Sequence, residues 1–171
     1  MHHITELRAA DYFFTLALLS ISFVGFGAIV TALRQSTTGK SLSKFHVMLT
    51  RVFIELGLMA ATFALLPSTL ALGGMSEEVI WRTTSAAMIV VLLPWLVFYP
   101  IRRHAAKRGA YPARVYVMLG LGSAALMLLA VNVAGLMGGT SAALPFAIGV
   151  LYILSFASVA FLATYNAFLR D

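Results

Sequence analysis

Three side chains in the stretch from Phe45 to Gly73 have types and spacing that bear on chemistry: His46, Arg51 and Glu55. Arg51 and Glu55 stand four positions apart, so on a helix they share a face and pair. His46 and Glu55 would sit about 13 Å apart along the same axis, too far for an acid and a base to hydrogen-bond directly. From Leu56 to Leu72 the stretch is apolar apart from Thr62, Ser68 and Thr69, which makes it a membrane span. A charge at the centre of a span costs about 2.5–3.5 kcal/mol on insertion scales, so the Arg51/Glu55 face is expected to turn toward protein or water. Asn132, in a later apolar run, is the other polar group that a path across the membrane would use.

Other chemistries find few residues. There is no cysteine, which removes disulfides, thiol nucleophiles, iron–sulfur ligation and Cys-type zinc sites. Asp occurs only at Asp11 and Asp171, and Glu55 is the one acid of the apolar runs, so no nucleophile and base constellation is expected and no catalytic residue is assigned. His46 and His104 fall near span ends rather than inside spans, which does not suit haem, and His2 with His3 lacks further metal ligands. Neither a metal nor a cofactor is expected. Gly39-Lys40-Ser41 resembles the end of a phosphate-binding loop, but Arg34 stands where the pattern needs glycine.

The elements that must position these residues are spans. The chain is 61% hydrophobic and 11% charged, against roughly 45–50% and 25% in soluble domains. The expected fold is an all-α integral membrane protein, a single polytopic domain with five transmembrane helices at about 12–33, 52–72, 79–99, 115–136 and 144–169. The first run is longer than a signal-peptide core, and Glu6 and Asp11 suit an n-region poorly, so it is expected to be retained. Gly73-Gly74 ends the second span, and Ser76, Glu77 and Glu78 open the third. Pro67 and Pro94 free the carbonyls of Phe63 and Val90 and predict kinks. Trp81 and Arg82 at one end of the third span, with Trp95, Phe98 and Tyr99 toward the other, predict an aromatic belt.

Charge placement sets an orientation. Arg34, Lys40 and Lys44 make the first connection basic, and Arg102, Arg103, Lys107, Arg108 and Arg114 make the third connection, Ile101 to Arg114, more so. The second is acidic but for Arg82, and the fourth carries no charge. The positive-inside rule then puts the N-terminus outside and the C-terminus in the cytoplasm. The five basic residues of the third connection are candidates for contact with lipid headgroups or a partner. Because basic residues flank spans throughout, the net charge of +6 is assigned to anionic headgroups and not to nucleic acid.

The run Phe23-Val24-Gly25-Phe26-Gly27-Ala28-Ile29-Val30-Thr31-Ala32-Leu33-Arg34, then Arg51-Val52-Phe53-Ile54-Glu55, Ala64-Leu65-Leu66-Pro67 and Trp81-Arg82, resembles small bacterial membrane proteins of no assigned function. The resemblance covers roughly the first half of the chain. It implies a bacterial inner-membrane home and carries over no site residue.

Two functions follow. In the first, copies form a homo-oligomer that passes an ion or small solute, with Arg51 and Glu55 lining or gating the inner half of the path and Asn132 the outer half. In the second, the chain is a non-catalytic subunit or stabiliser of a larger membrane complex, and the same ion pair is an internal lock. The sequence tilts slightly to the first, because Ser155, Ser158, Thr164, Tyr165 and Asn166 add polarity to the fifth span. The Gly25, Gly27 and Thr31 edge and the Gly120, Gly122 and Ala124 edge are the expected helix contacts.

Overall fold

The computed structural model describes residues 9–38, 44–106, 112–137 and 142–168, without the side chains of residues 34, 37, 38, 167 and 168. Five helices follow in order: α1 (Ala10–Thr38), α2 (Lys44–Leu72), α3 (Glu77–Ala106), α4 (Ala113–Val133) and α5 (Ala143–Phe168). Each contains a window long and apolar enough to cross a membrane, so the chain is built as a multi-pass membrane protein. His2, His3, Lys40, Lys107, Arg108 and Asp171 lie outside the described residues.

The helices are longer at the charged ends than the apolar runs alone predict. α2 starts at Lys44, so Phe45, His46 and Arg51 are helical. α3 continues through Ile101 to Ala106, which corrects the expected loop there and places Arg102 and Arg103 on a helix. Pro100 removes one backbone donor but does not end α3, and Arg103 and His104 in its last turn suit the negative end of the helix dipole. α4 stops at Val133, short of the expected end at residue 136. Gly135 is the reason: its φ of 74° lies in the left-handed region. Its N–H donates to the Asn132 carbonyl at 3.0 Å, and the Leu136 N–H donates to that of Val131 at 3.2 Å, closing a Schellman cap. Gly74, also at φ 74°, ends the α2–α3 turn.

α2 and α5 form the middle of the bundle. α2 packs on α1, α3 and α5, while α5 also packs on α4 and, less extensively, on α3 and α1. Aromatic groups tie the helices together. Phe13 of α1, Trp81 of α3 and Phe146 of α5 meet with ring centroids 5.5–5.9 Å apart. Phe23, Phe53 and Phe161 join α1, α2 and α5 at 5.1–5.4 Å. Trp95, Tyr99 and Phe156 join α3 to α5 at 5.0–5.2 Å. Trp81 is fully buried, which corrects its expected place in an interfacial belt, and Tyr99 is buried too.

Glycines allow the closest helix approach. A Cβ on Gly27 would run into the Phe53 ring, and one on Gly57 into Val24, so these two residues set the α1–α2 contact. Gly122 does the same for α4 against Tyr152 of α5 and Leu96 of α3. Gly25 and Gly120 face open space, so each expected small-residue edge divides between an internal contact and an outward face.

Candidate functional site

Glu55 is the centre of a three-residue charge cluster that joins two helices. Arg51, one turn earlier on α2, donates from Nε to Glu55 Oε1 at 2.6 Å. Arg102 of α3 donates from Nη1 to Oε2 at 3.1 Å. Both carboxylate oxygens are therefore engaged by guanidinium groups, the stronger kind of hydrogen bond. The expected Arg51–Glu55 pair is present, and the structure adds Arg102, which the sequence assigned to lipid or partner contact.

Helix geometry explains why residues so distant in the chain meet. In an α-helix side chains lean toward their own N-terminus. α2 and α3 are antiparallel, so Glu55 leans toward the end of the bundle where α2 begins, and Arg102 leans away from that end. The two side chains thus converge. The signal lay in the hairpin register together with this lean.

The cluster faces outward. The Arg51 side chain is 72% exposed, that of Arg102 49% and that of Glu55 31%. The same end of the bundle carries Lys44, Arg103, His104 and Arg114, with Glu55 the one acid there among the described residues. The other end carries Asp11, Glu77 and Glu78, with Arg82 paired to Glu78. His46 is buried, nine residues before Glu55 on α2. Arg103 is buried, its guanidinium 5.5 Å from the centroid of the Phe45 ring, a cation–π contact.

Asn132 occupies the opposite end. It is fully buried and donates from Nδ2 to the Ser85 hydroxyl and the Ala142 carbonyl at 2.9 Å each, and to the Trp81 carbonyl at 3.4 Å. The amide thereby ties α4 to α3 and to the start of α5. Glu55 lies 17 residues before the end of α2 and Trp81, the α3 contact of Asn132, four residues after the start of α3, so the two sites are about 20 Å apart along the bundle at 1.5 Å per helical residue. Between them the interior holds Leu56, Met88, Leu92, Phe146, Val150 and Ile153, all fully buried. The two expected path residues are not brought together within one copy of the chain.

The described residues hold no group of three His, Cys, Asp or Glu side chains placed to bind a metal. Comparison with protein-family models, with curated proteins and with solved structures finds no match to this chain.

Proposed function

We propose that the protein is a non-catalytic membrane subunit or stabiliser, acting through the helix faces it presents within the bilayer. The observation that carries this reading is the engagement of both Glu55 oxygens by Arg51 and Arg102, which makes the carboxylate a tie between α2 and α3. The buried Asn132 amide is a second tie, at the far end of α3. In this reading the polar groups of the spans hold helices in register, and the outer faces are left for a partner or lipid. The concentration of basic residues at one end favours that end facing the cytoplasm, with the N-terminus outside. The sequence resemblance favours a bacterial inner membrane.

A second reading has copies of the chain assembled around an axis, with an ion or small solute passing between them. It is favoured by the outward exposure of the Arg51 and Glu55 side chains, which would line a shared path. The fully buried apolar core requires that path to run between copies and not through one.

The discriminating experiment measures the mass of the native particle, its composition, and solute flux through liposomes holding the purified chain alone. The subunit reading expects a second polypeptide at fixed ratio and liposomes as tight as protein-free ones. A particle of this chain alone, with a flux that Glu55→Gln abolishes, would replace it with the permeation reading.

A further inference from the structure

The Glu55 cluster sets two cations against one anion. Arg51 donates to the carboxylate through Nε at 2.6 Å and Arg102 through Nη1 at 3.1 Å. A guanidinium has five N–H donors, so each arginine keeps donors beyond the one that Glu55 accepts. These are open to the surroundings, since the two side chains are 72% and 49% exposed. The charged pair at the other end of the bundle, Arg82 with Glu78, is one to one and leaves no excess.

Because the two arginines share a carboxylate, their bonded nitrogens are separated by no more than those two hydrogen bonds and the width of the group between them. A phosphate has oxygens of similar spacing and bridges such a pair from the outer side, where guanidinium and phosphate match in geometry as well as in charge. Glu55 holds the two guanidiniums together, which like charges alone would not do.

Depth decides what carries the phosphate. Arg51 stands about 32 Å from the end of α2 at Leu72, and Arg102 about 38 Å from the start of α3 at Glu77, at 1.5 Å per helical residue. With the α2–α3 turn at one boundary of about 30 Å of hydrocarbon, both arginines reach headgroup level at the other. On the hydrocarbon side of the cluster lie Leu58, three residues after Glu55 and 50% exposed, and Phe98, four residues before Arg102 and 53% exposed. Those spacings keep each on the face of its charged neighbour. Thr62, exposed a turn further along α2, donates its hydroxyl to the Leu58 carbonyl at 2.9 Å and makes no polar demand on the face.

We infer that Arg51 and Arg102 bind the phosphate of an anionic glycerophospholipid whose acyl chain lies along Leu58 and Phe98, with Glu55 as the positioning residue. The excess of one positive charge selects a lipid of net negative charge over a zwitterionic one. The inference rests on the subunit reading, in which this face is left to lipid. Its test reads lipid retention, separately from the flux and particle mass that decide that reading.

The full chain, purified in mild detergent, is incubated with mixed micelles of equal phosphatidylglycerol and phosphatidylcholine, and bound lipids are counted by native mass spectrometry. Wild type is expected to retain phosphatidylglycerol over phosphatidylcholine. Arg51→Gln and Arg102→Gln are each expected to weaken that preference about tenfold, the loss of one charged hydrogen bond. Arg51→Lys keeps the charge and loses the fork, so it is expected to fall between wild type and Arg51→Gln. Arg114→Gln removes an exposed charge from the same end but outside the cluster, and is expected to leave the preference unchanged. Because Arg102→Gln also loosens α2 from α3, Arg51→Gln, whose bond to Glu55 lies within α2, is the folded check. Equal retention by wild type, Arg51→Gln and Arg102→Gln would overturn the site, as would an equal loss in Arg114→Gln. Thermal stabilisation by inorganic phosphate alone, equal to that by phosphatidylglycerol and lost in Arg51→Gln, would overturn the lipid in favour of a soluble anion.

Discussion

Glu55 of α2 accepts a hydrogen bond at 3.1 Å from Arg102 of α3, a residue 47 positions later in the chain. With Arg51 on the other oxygen at 2.6 Å, this carboxylate joins a local helix pair to a tertiary one. Ion pairs exposed to water contribute about 0.2–1 kcal/mol. Glu55→Gln is therefore expected to lower stability modestly in detergent, read as a small fall in the midpoint of thermal unfolding, with the helix content by circular dichroism unchanged.

The α1–α2 contact makes a sharper demand. A Cβ at Gly57 would overlap Val24, whereas Gly25 faces open space. Gly57→Ala is expected to cost about 1–3 kcal/mol through overpacking. Gly25→Ala is expected to be neutral or slightly stabilising, since alanine is the better helix former. Chemical denaturation of the two variants side by side checks the difference.

Much of this architecture was legible before the structure. Long apolar runs predict five spans because a helix that must satisfy its backbone inside lipid leaves little choice of element. The Arg51–Glu55 pair was legible because it depends on helical spacing alone. The place of Arg102 beside Glu55 is set by the register of the α2–α3 hairpin, which spacing along one helix does not carry. The burial of Trp81 is likewise tertiary: Phe13 and Phe146, which cover it, arrive from α1 and α5. The density of arginines after Tyr99 reads as a loop, yet a helix C-terminus accommodates positive charge, and α3 carries on to Ala106.

Asn132 predicts a stability effect at the other end of the bundle. Asn132→Leu keeps roughly the volume but leaves the buried Ser85 hydroxyl and the Ala142 carbonyl without their donor. The expected cost is about 1–3 kcal/mol. A variant of normal stability that has lost solute flux would instead make Asn132 a path residue.

Gly135 at φ 74° both caps α4 and lies against the Arg82 guanidinium. Gly135→Ala meets two obstacles, the left-handed backbone and Arg82. The backbone alone costs about 1–2 kcal/mol. Faster proteolysis of the α4–α5 connection is the expected readout, with Gly120→Ala unaffected.

Orientation can be read directly because the natural chain has no cysteine. Met75→Cys in the α2–α3 turn is expected to react with an impermeant maleimide added to intact cells, while Ala113→Cys at the start of α4 reacts only after the membrane is opened. The opposite pattern would invert the topology.

Glu55 hydrogen-bonds Arg51 of α2 and Arg102 of α3, and under the proposed function it ties these helices and is not a permeation group. A double-mutant cycle of Glu55→Gln and Arg102→Gln tests it most directly, with thermal stability and flux through reconstituted liposomes measured on the same preparations. The account predicts a measurable coupling energy, a double variant more stable than the sum of the single losses implies, and flux indistinguishable from protein-free liposomes in all four proteins. Zero coupling, together with a wild-type flux that every Glu55→Gln protein lacks, would contradict it.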